Sequence, residues 1–247
     1  MLIHSTRDAH WLSNSWIVAD KVGGDAVLVD SGAPSADIEA FIAANNLNLR
    51  HVLCTHHHYD HVANNSHYRE TYQCSVCAHQ NEKSLIDGDI TSLTDKQIIQ
   101  CGDLEISCLH IPGHTSGQLA FYINEQALFT GDTLFAGSVG GTQAPDHTSF
   151  DDIHHSIMNV LFSLPMSTVI YPGHMQASTL ATEWAENPFV RAWRGMDHVR
   201  EQDCLVDNQP ATLLLRAADY DSGTKCWVRS DDSVLNIVAG SKVKTLV

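Results

Sequence analysis

Apolar residues along this chain fall mostly in short runs broken by glycine, asparagine and aspartate, a texture that predicts strands more often than helices. Residues 15–20 (SWIVAD) and 26–32 (AVLVDSG) read as two strands joined through the KVGGD turn. Helical spacing then takes over at Ile38, Phe41 and Ile42, behind a serine at 35 suited to N-capping and acidic Asp37 and Glu39 in the first turn; the helix is expected to end near Asn45 and Asn46. Residues 49–55 (LRHVLCT) form an apolar run of the buried-strand type. Further strands are expected at 72–79 and 103–111, with a polar helix at 81–86 between them. Residues 118–123 and 127–132 read as a hairpin joined at Asn124, Glu125 and Gln126. Ser149 with Asp152 three residues on marks a helix start, the apolar set Ile153, Ile157, Val160, Leu161 and Leu164 follows, and Pro165 stops it. A strand at 167–174 and a helix at 178–187, closed before Pro188, complete this part.

After about residue 195 the helical spacing disappears. Residues 211–230 read as a hairpin turning at Asp221, Ser222 and Gly223, and 233–246 as another strand pair. The expected organisation is therefore a catalytic domain over 1–196 and a small β-rich extension over 197–247. Hairpins interrupt the alternation of strands and helices in the larger part, which argues for mixed α/β architecture with helices packed outside mixed sheets and against a purely parallel doubly wound sheet.

Composition narrows the functional classes. The formal charge of −15 disfavours nucleic acid and anionic membrane as partners. No apolar run approaches the roughly 18 residues of a membrane span, and the N-terminus lacks a charged segment followed by an apolar one. Seven cysteines, an odd count, read as reduced thiols of a cytoplasmic protein, and the pair Cys74 and Cys77 reads as structural.

The sixteen histidines are unevenly placed, with four in the eight residues CTHHHYDH, 54–61. On extended backbone, positions i and i+2 point the same way, so His56 and His58 converge while His57 faces away. On a helix they would diverge by about 200°. Asp60 and His61 follow at the bend, and Cys54 belongs to the preceding strand. Imidazoles with a carboxylate suit zinc, iron or manganese. Three more candidates share one context, a glycine followed by a chemistry-bearing residue just past an apolar strand: His114 in PGHTSG, Asp132 in FTGDTLF and His174 in YPGH. Together they complete a site for two divalent metal ions. His57, His110 and the helical pair His154 and His155 read as structural or solvated. His147, in the loop after Asp132, reads as an exposed loop residue, with a substrate contact as the other reading. Trp184 and Trp193 read as packing residues.

The ordered set His56-x-His58-x-Asp60-His61, His114, Asp132, His174 resembles the metallo-β-lactamase-fold hydrolases. The HHHYDH run, GHTSG and GDTLF look most like the glyoxalase II (hydroxyacylglutathione hydrolase) group. The resemblance covers about residues 10–195 and implies a four-layer αβ/βα sandwich with the site at the sheet edges. It implies one metal on His56, His58 and His114, a second on Asp60, His61 and His174, and Asp132 bridging them, with zinc foremost and iron or manganese as alternatives. Asp60 and Asp132 are then the residues expected to act directly in catalysis. The implied reaction is hydrolysis of an acyl carbonyl, a thioester foremost, in a small-molecule substrate; lactone or β-lactam hydrolysis and the persulfide dioxygenase chemistry of the same fold are the alternatives, and a non-catalytic metal-binding protein is the third class. A homodimer is left open. Two departures stand out: the loop after GDTLF reads AGSVGGTQAPDH where family members often carry a Gly-Cys-Gly-Arg-like segment, and the C-terminal part does not resemble the helical extension that grips glutathione. The need for neutral imidazoles predicts loss of metal below about pH 6.

Overall fold

A computed structural model describes residues 1–246. The first sheet is formed by β1 (Leu2–Arg7), β2 (Asn14–Ala19), β3 (Asp25–Val29), β4 (Asn48–Leu53), β5 (Ser75–His79) and β6 (Ile90–Leu93), side by side in chain order. β1, β2 and β3 pair antiparallel; β3 through β6 pair parallel. Parallel neighbours need crossovers. Helix α1 (Ala36–Asn45) supplies the first and the short α2 (Tyr59–Val62) with α3 (Asn65–Tyr72) the second. Helix α1 ends where expected, at Asn46 in left-handed conformation with φ 50°.

The period-two pattern sorts the strand side chains between two cores. Ile17, Ala19, Leu28 and Val52 pack toward α1 and α3. Val18, Val27, Val29 and Leu53 face the second sheet instead. That sheet contains β7 (Ile98–Cys101), β8 (Leu104–His110), β9 (Leu119–Ile123) and β10 (Ala127–Gly131). A two-stranded ribbon follows, β11 (Leu134–Phe135) with β12 (Ser138–Val139). Then β13 (Val169–Pro172) adds parallel to β10, and β14 (Ser178–Thr179) forms the edge. Leu104, Ile106, Cys108, Phe121 and Phe129 meet the first sheet across the shared core. The outer face of the second sheet is covered by α4 (Phe150–His155), α5 (Leu180–Glu186) and α6 (Pro188–Trp193), through Ile153, Ile157, Leu161, Leu180 and Phe189. The layers are thus helix, sheet, sheet, helix, as the resemblance implied.

Several local expectations change. Tyr72 ends a helix and does not begin a strand; β5 starts only at Ser75. The polar helix at 81–86 is a single 3₁₀ turn, Lys83–Leu85. The helix capped by Ser149, whose hydroxyl accepts from the Asp152 amide at 3.1 Å, leaves α geometry after His155 for a π turn at Ser156–Val160. There the Ser156 hydroxyl donates to the Pro112 carbonyl at 2.8 Å. Pro188 does more than close a helix: it opens α6, with the Asn187 side chain accepting from the Phe189 amide at 3.1 Å. A proline at the first helical position sacrifices an N–H that has no partner anyway.

The C-terminal segment is a five-stranded antiparallel sheet of β15 (Gln202–Val206), β16 (Gln209–Ala218), β17 (Thr224–Ser230), β18 (Leu235–Ala239) and β19 (Val243–Thr245), in the order β18-β17-β16-β15-β19. The β16–β17 hairpin turns at the expected residues. The last two strands do not pair with each other; β18 adds to β17 and β19 to β15, on opposite edges. Strand β15 had no sequence signal beyond a short apolar pair. Ile237 of this sheet packs in the same core as α4, α5 and α6. Trp227 stacks on Phe150 with ring centroids 5.6 Å apart, so the sheet lies directly against the helical layer. All seven cysteines are buried and unpaired. Among the described residues no helix is long and apolar enough to cross a membrane.

Candidate functional site

The seven side chains singled out from the sequence lie together at the ends of β4, β8, β10 and β13 and in the turns that follow them. Three groups have ligand atoms within 4.8 Å of one another: His56 with His58 and His114, His56 with His61 and Asp132, and Asp60 with His61 and His174. Asp132 sits between the outer groups. Its Oδ1 lies 3.4 Å from His61 Nε2, and its Oδ2 lies 3.3 Å from His174 Nε2 and 3.7 Å from His114 Nε2. Asp60 Oδ2 is 3.5 Å from both His61 Nε2 and His174 Nε2.

Local backbone explains the approach. His58 caps α2, which places Asp60 and His61 in its first turn and directs His61 back beneath His56. At Gly173 a Cβ would stand 2.2 Å from Asp132 Oδ1 and 2.8 Å from His61 Cε1; only glycine lets β13 deliver His174 this closely.

The hydrogen bonds on the far sides of the rings determine which nitrogens carry lone pairs. Asp30 accepts the Thr55 hydroxyl at 2.8 Å, so Thr55 Oγ1 is left to accept from His56 Nδ1 at 3.0 Å. His114 Nδ1 donates to the Gly141 carbonyl at 2.9 Å, and His58 Nε2 faces the Pro145 carbonyl at 3.3 Å. The remaining nitrogens, His56 Nε2, His58 Nδ1 and His114 Nε2, therefore point lone pairs at one another across 3.0 and 3.1 Å. Three lone pairs at that separation repel unless a positive charge sits among them. The other group has the same deficit. His61 Nδ1 donates to Asp30 Oδ2 at 2.8 Å, and its Nε2 faces two carboxylates, so that either a proton on the ring or a cation must stand between them. His61 Nε2 and Asp132 Oδ1 are buried without a hydrogen-bond partner. Buried polar atoms are rarely left so, and the donor set is the one that borderline divalent cations take.

Electrostatics separates the two groups. Burial, reinforced by the neighbouring His61 and His58 rings, holds His56 well below the ordinary imidazole range. Burial likewise pushes His114 down to about 4 and lowers His58. Burial opposes charge on His61 too, but the carboxylates of Asp132, Asp30 and Asp60 outweigh it and push the ring up to about 10. Asp132 is held well below the usual carboxylate range: burial works against its charge, and His174 and His61 overcome it.

Sequence reading missed two buried acids. Asp30, 2 % exposed, holds His61 and accepts from the Thr55 amide at 2.8 Å. Its signal was partial: in AVLVDSG an acid directly follows an apolar strand, but the glycine comes two residues after it and not before it as at Asp132. Glu82 had no such signal. It is fully buried, accepts from the His57 amide at 2.9 Å, Thr115 Oγ1 at 2.7 Å and the Gly117 amide at 2.8 Å, and pairs with His57 Nδ1. It thereby ties the loop carrying His58 to the loop carrying His114. Replacing it by glutamine is expected to cost at least about 2 kcal/mol, because an amide cannot accept all these donors, and to weaken metal binding at least about ten-fold. Urea unfolding and a metal titration read both; unchanged values in both would dismiss the brace. Of the residues set aside, His57 is committed to Glu82, and His110 Nε2, from within β8, donates to the Ser116 carbonyl at 2.9 Å. His154 is half-buried against Trp193 at 5.1 Å, which corrects the expectation of a solvated pair. Trp184 packs on Phe162 and under Arg194.

The family profile of the metallo-β-lactamase superfamily matches residues 10–174. The chain belongs to the metallo-β-lactamase superfamily. It is 35 % identical over 161 residues to the hydroxyacylglutathione hydrolase of Pelagibacter ubique, a stretch covering 65 % of this chain and 65 % of that one, just under two thirds of the relative's length. ETHE1 from Myxococcus xanthus superposes with a TM-score of 0.70 at 27 % identity, covering 78 % of this chain and 85 % of that one. The B3 metallo-β-lactamase BLEG-1 superposes with a TM-score of 0.70 at 25 % identity, covering 76 % and 99 %. The superfamily consists in general of metallohydrolases that bind divalent metals.

Proposed function

We propose that the protein is a binuclear metallohydrolase that cleaves an acyl carbonyl compound, a thioester foremost. The observation that carries this is the pair of electron-rich clusters sharing Asp132, each lacking a positive charge that two cations would provide. His56, His58 and His114 would hold one ion, Asp60, His61 and His174 the other, and Asp132, which lies between the clusters, would serve both. Bound there, such ions supply Lewis acidity for an acyl oxygen and acidify water toward neutrality. The chain's own groups do the rest. Asp30 holds the His61 ring in one tautomer, so that Nε2 stays available. Asp60, whose side chain is 18 % exposed and the most open of the carboxylates, is placed to orient a water or take its proton. Neutral His56 and His114, enforced by burial, keep the first cluster from filling with protons in place of a cation.

The likeness to hydroxyacylglutathione hydrolase supports the thioester, and the likeness to BLEG-1 supports a β-lactam arm of the test. The ETHE1 likeness favours one further reading, a persulfide dioxygenase; the presence of Asp60, His61 and His174 in one cluster weighs toward two metals and hydrolysis. Elemental analysis of fresh protein, with rates on S-lactoylglutathione, an acyl-homoserine lactone and nitrocefin and oxygen uptake on glutathione persulfide, decides among them. Two metal equivalents with thioester turnover support the proposal; one iron with oxygen uptake replaces it.

Acid should empty the two clusters in different ranges. At His61 a cation must displace a proton held up to about 10, so below that pH its affinity falls about ten-fold per unit. The His56, His58 and His114 cluster has its imidazoles lowered and does not face that competition. Between pH 8 and 6 one equivalent is expected to weaken about 100-fold, ten-fold for each unit, and the other far less. Titrations at the two pH values check this; equal weakening of both equivalents contradicts it.

A further inference from the structure

Five imidazoles make up the two clusters. Each needs its ring plane fixed, because χ2 of a histidine is a broad torsion that the backbone alone does not set. Four of them use a hydrogen bond on the far nitrogen: His56 to Thr55, His58 to the Pro145 carbonyl, His61 to Asp30 and His114 to the Gly141 carbonyl. His174 does not. Its Nε2 faces Asp132 at 3.3 Å and Asp60 at 3.5 Å, while its Nδ1 is buried with no hydrogen-bond partner. The backbone on either side of it is pinned. The Asn14 side chain donates to the carbonyls of Pro172 at 3.0 Å and Met175 at 2.8 Å, and Ser13 pairs with His174 in an isolated bridge. A pinned backbone still leaves the ring free to turn.

What meets the ring is an aromatic face from the C-terminal sheet. Tyr220, in the turn between β16 and β17, stacks on His174 with centroids 4.0 Å apart and planes 10° from parallel. Phe135, at the end of β11, stands edge-on to His174 at 5.8 Å and to Tyr220 at 5.7 Å, closing the side of the stack. The tyrosine is itself held. Asp219, its neighbour in the chain, takes the Lys225 ammonium on one oxygen and Ser138 Oγ on the other, each at 2.9 Å, which ties the hairpin to β12. The same ammonium lies 5.4 Å from the centre of the Tyr220 ring. Tyr220, Phe135 and Lys225 also line, with His114 and Asp132, a cavity of about 180 Å³.

We infer that Tyr220 is a positioning residue for His174: its ring, delivered by the C-terminal sheet, takes the place of the hydrogen bond that orients each of the other four imidazoles and holds Nε2 toward Asp60 and Asp132. Paired aromatic rings attract beyond the area they bury, and a ring set between a parallel face and a perpendicular edge has one plane open to it. The C-terminal sheet is then a structural part of the cluster of Asp60, His61 and His174. The effect on metal affinity rests on the two-cation reading above; the orientation of the ring does not. The stack needs the flat ring and not the hydroxyl, so phenylalanine should serve at position 220 and leucine, apolar but not flat, should not.

Zinc titrations of the full chain as wild type, Y220F and Y220L read the first effect. Y220L is expected to weaken one equivalent by about 10–100-fold, the range for losing a group that orients a metal ligand, and to leave the other unchanged; Y220F should keep both. Tyr220 is half-buried in a turn, so leucine there does not open the core. NMR of the His174 ring protons in the full chain stripped of metal gives a readout without ions. One narrow set of signals, displaced upfield by the aromatic face, is expected in wild type and Y220F, and broadened or doubled signals in Y220L. Wild-type affinities in Y220L, equal loss at both equivalents, a Y220F as weak as Y220L, or narrow His174 signals in Y220L each overturn the inference. A wild type that takes a single ion, with His174 signals still dependent on the ring at position 220, instead sinks the two-cation reading and keeps the positioning role.

Discussion

Asp132→Ala is expected to lose at least one of two metal equivalents and at least about 10³-fold in turnover. The size follows from position. Asp132 is the single group whose two oxygens address both clusters, Oδ1 toward His61 and Oδ2 toward His174 and His114. Removing one preorganised stabilising donor from an active site already costs on the order of 10²–10³ in rate; here a ligand of both ions goes at once. The alanine also leaves His61 and His174 with Asp60 as the one carboxylate of the pair that faced them, so refilling the gap with water does not restore the field. Elemental analysis and single-turnover rates measure the two effects. A variant holding both equivalents at the normal rate would contradict the shared-ligand role and with it the binuclear centre.

The second large effect is expected from Asp30→Asn, a residue that touches neither the cavity nor a proposed ion. Asp30 stands at φ 56°, a left-handed conformation that asparagine tolerates, so the backbone need not move. What changes is the proton order. The carboxylate accepts from His61 Nδ1, Thr55 Oγ1 and the Thr55 amide; an amide of the same shape offers one oxygen and an N–H₂ group in their place. A donor against His61 Nδ1 drives the ring to its other tautomer and puts the proton on Nε2, where the cation belongs. Second-sphere changes of this kind cost about 10–100-fold in metal affinity, and a buried unmet donor costs about 1–3 kcal/mol of stability. Metal titration should show the equivalent at Asp60, His61 and His174 weakened by that factor, and urea unfolding a lower midpoint. If affinity and midpoint both stayed at wild-type values, Asp30 would be a bystander.

The residues that meet at the site were legible one by one because each follows the same local grammar. An apolar strand runs out, a glycine or a turn follows, and a histidine or aspartate is left at the sheet edge. That grammar served for His114, Asp132 and His174; it passed over Asp30, which follows its strand directly with no glycine before it. It was blind to Glu82, which stands just before a 3₁₀ turn with no apolar pattern around it, and to α3, where NSHYRETY carries too few apolar positions to show a helical stripe. β6 and β7 were missed for a related reason: in each, only part of the strand is buried, so the alternation is too short to register. Proline stops a helix it falls inside, so in the sequence Pro188 marks an end; where Asn187 caps the next turn, the same residue also starts one.

Local chemistry, then, sufficed to name the donors, the cations they suit and the layered α/β class, since ligand type and strand period are properties of neighbours along the chain. It did not contain the tautomers, the contrast between His114 near 4 and His61 near 10, or the presence of Tyr220 and Lys225 at the metal cluster. Each of those depends on burial and on charges brought together from residues 30 to 225, distances in sequence over which no periodicity carries information, and only the packed chain brings them into range of one another.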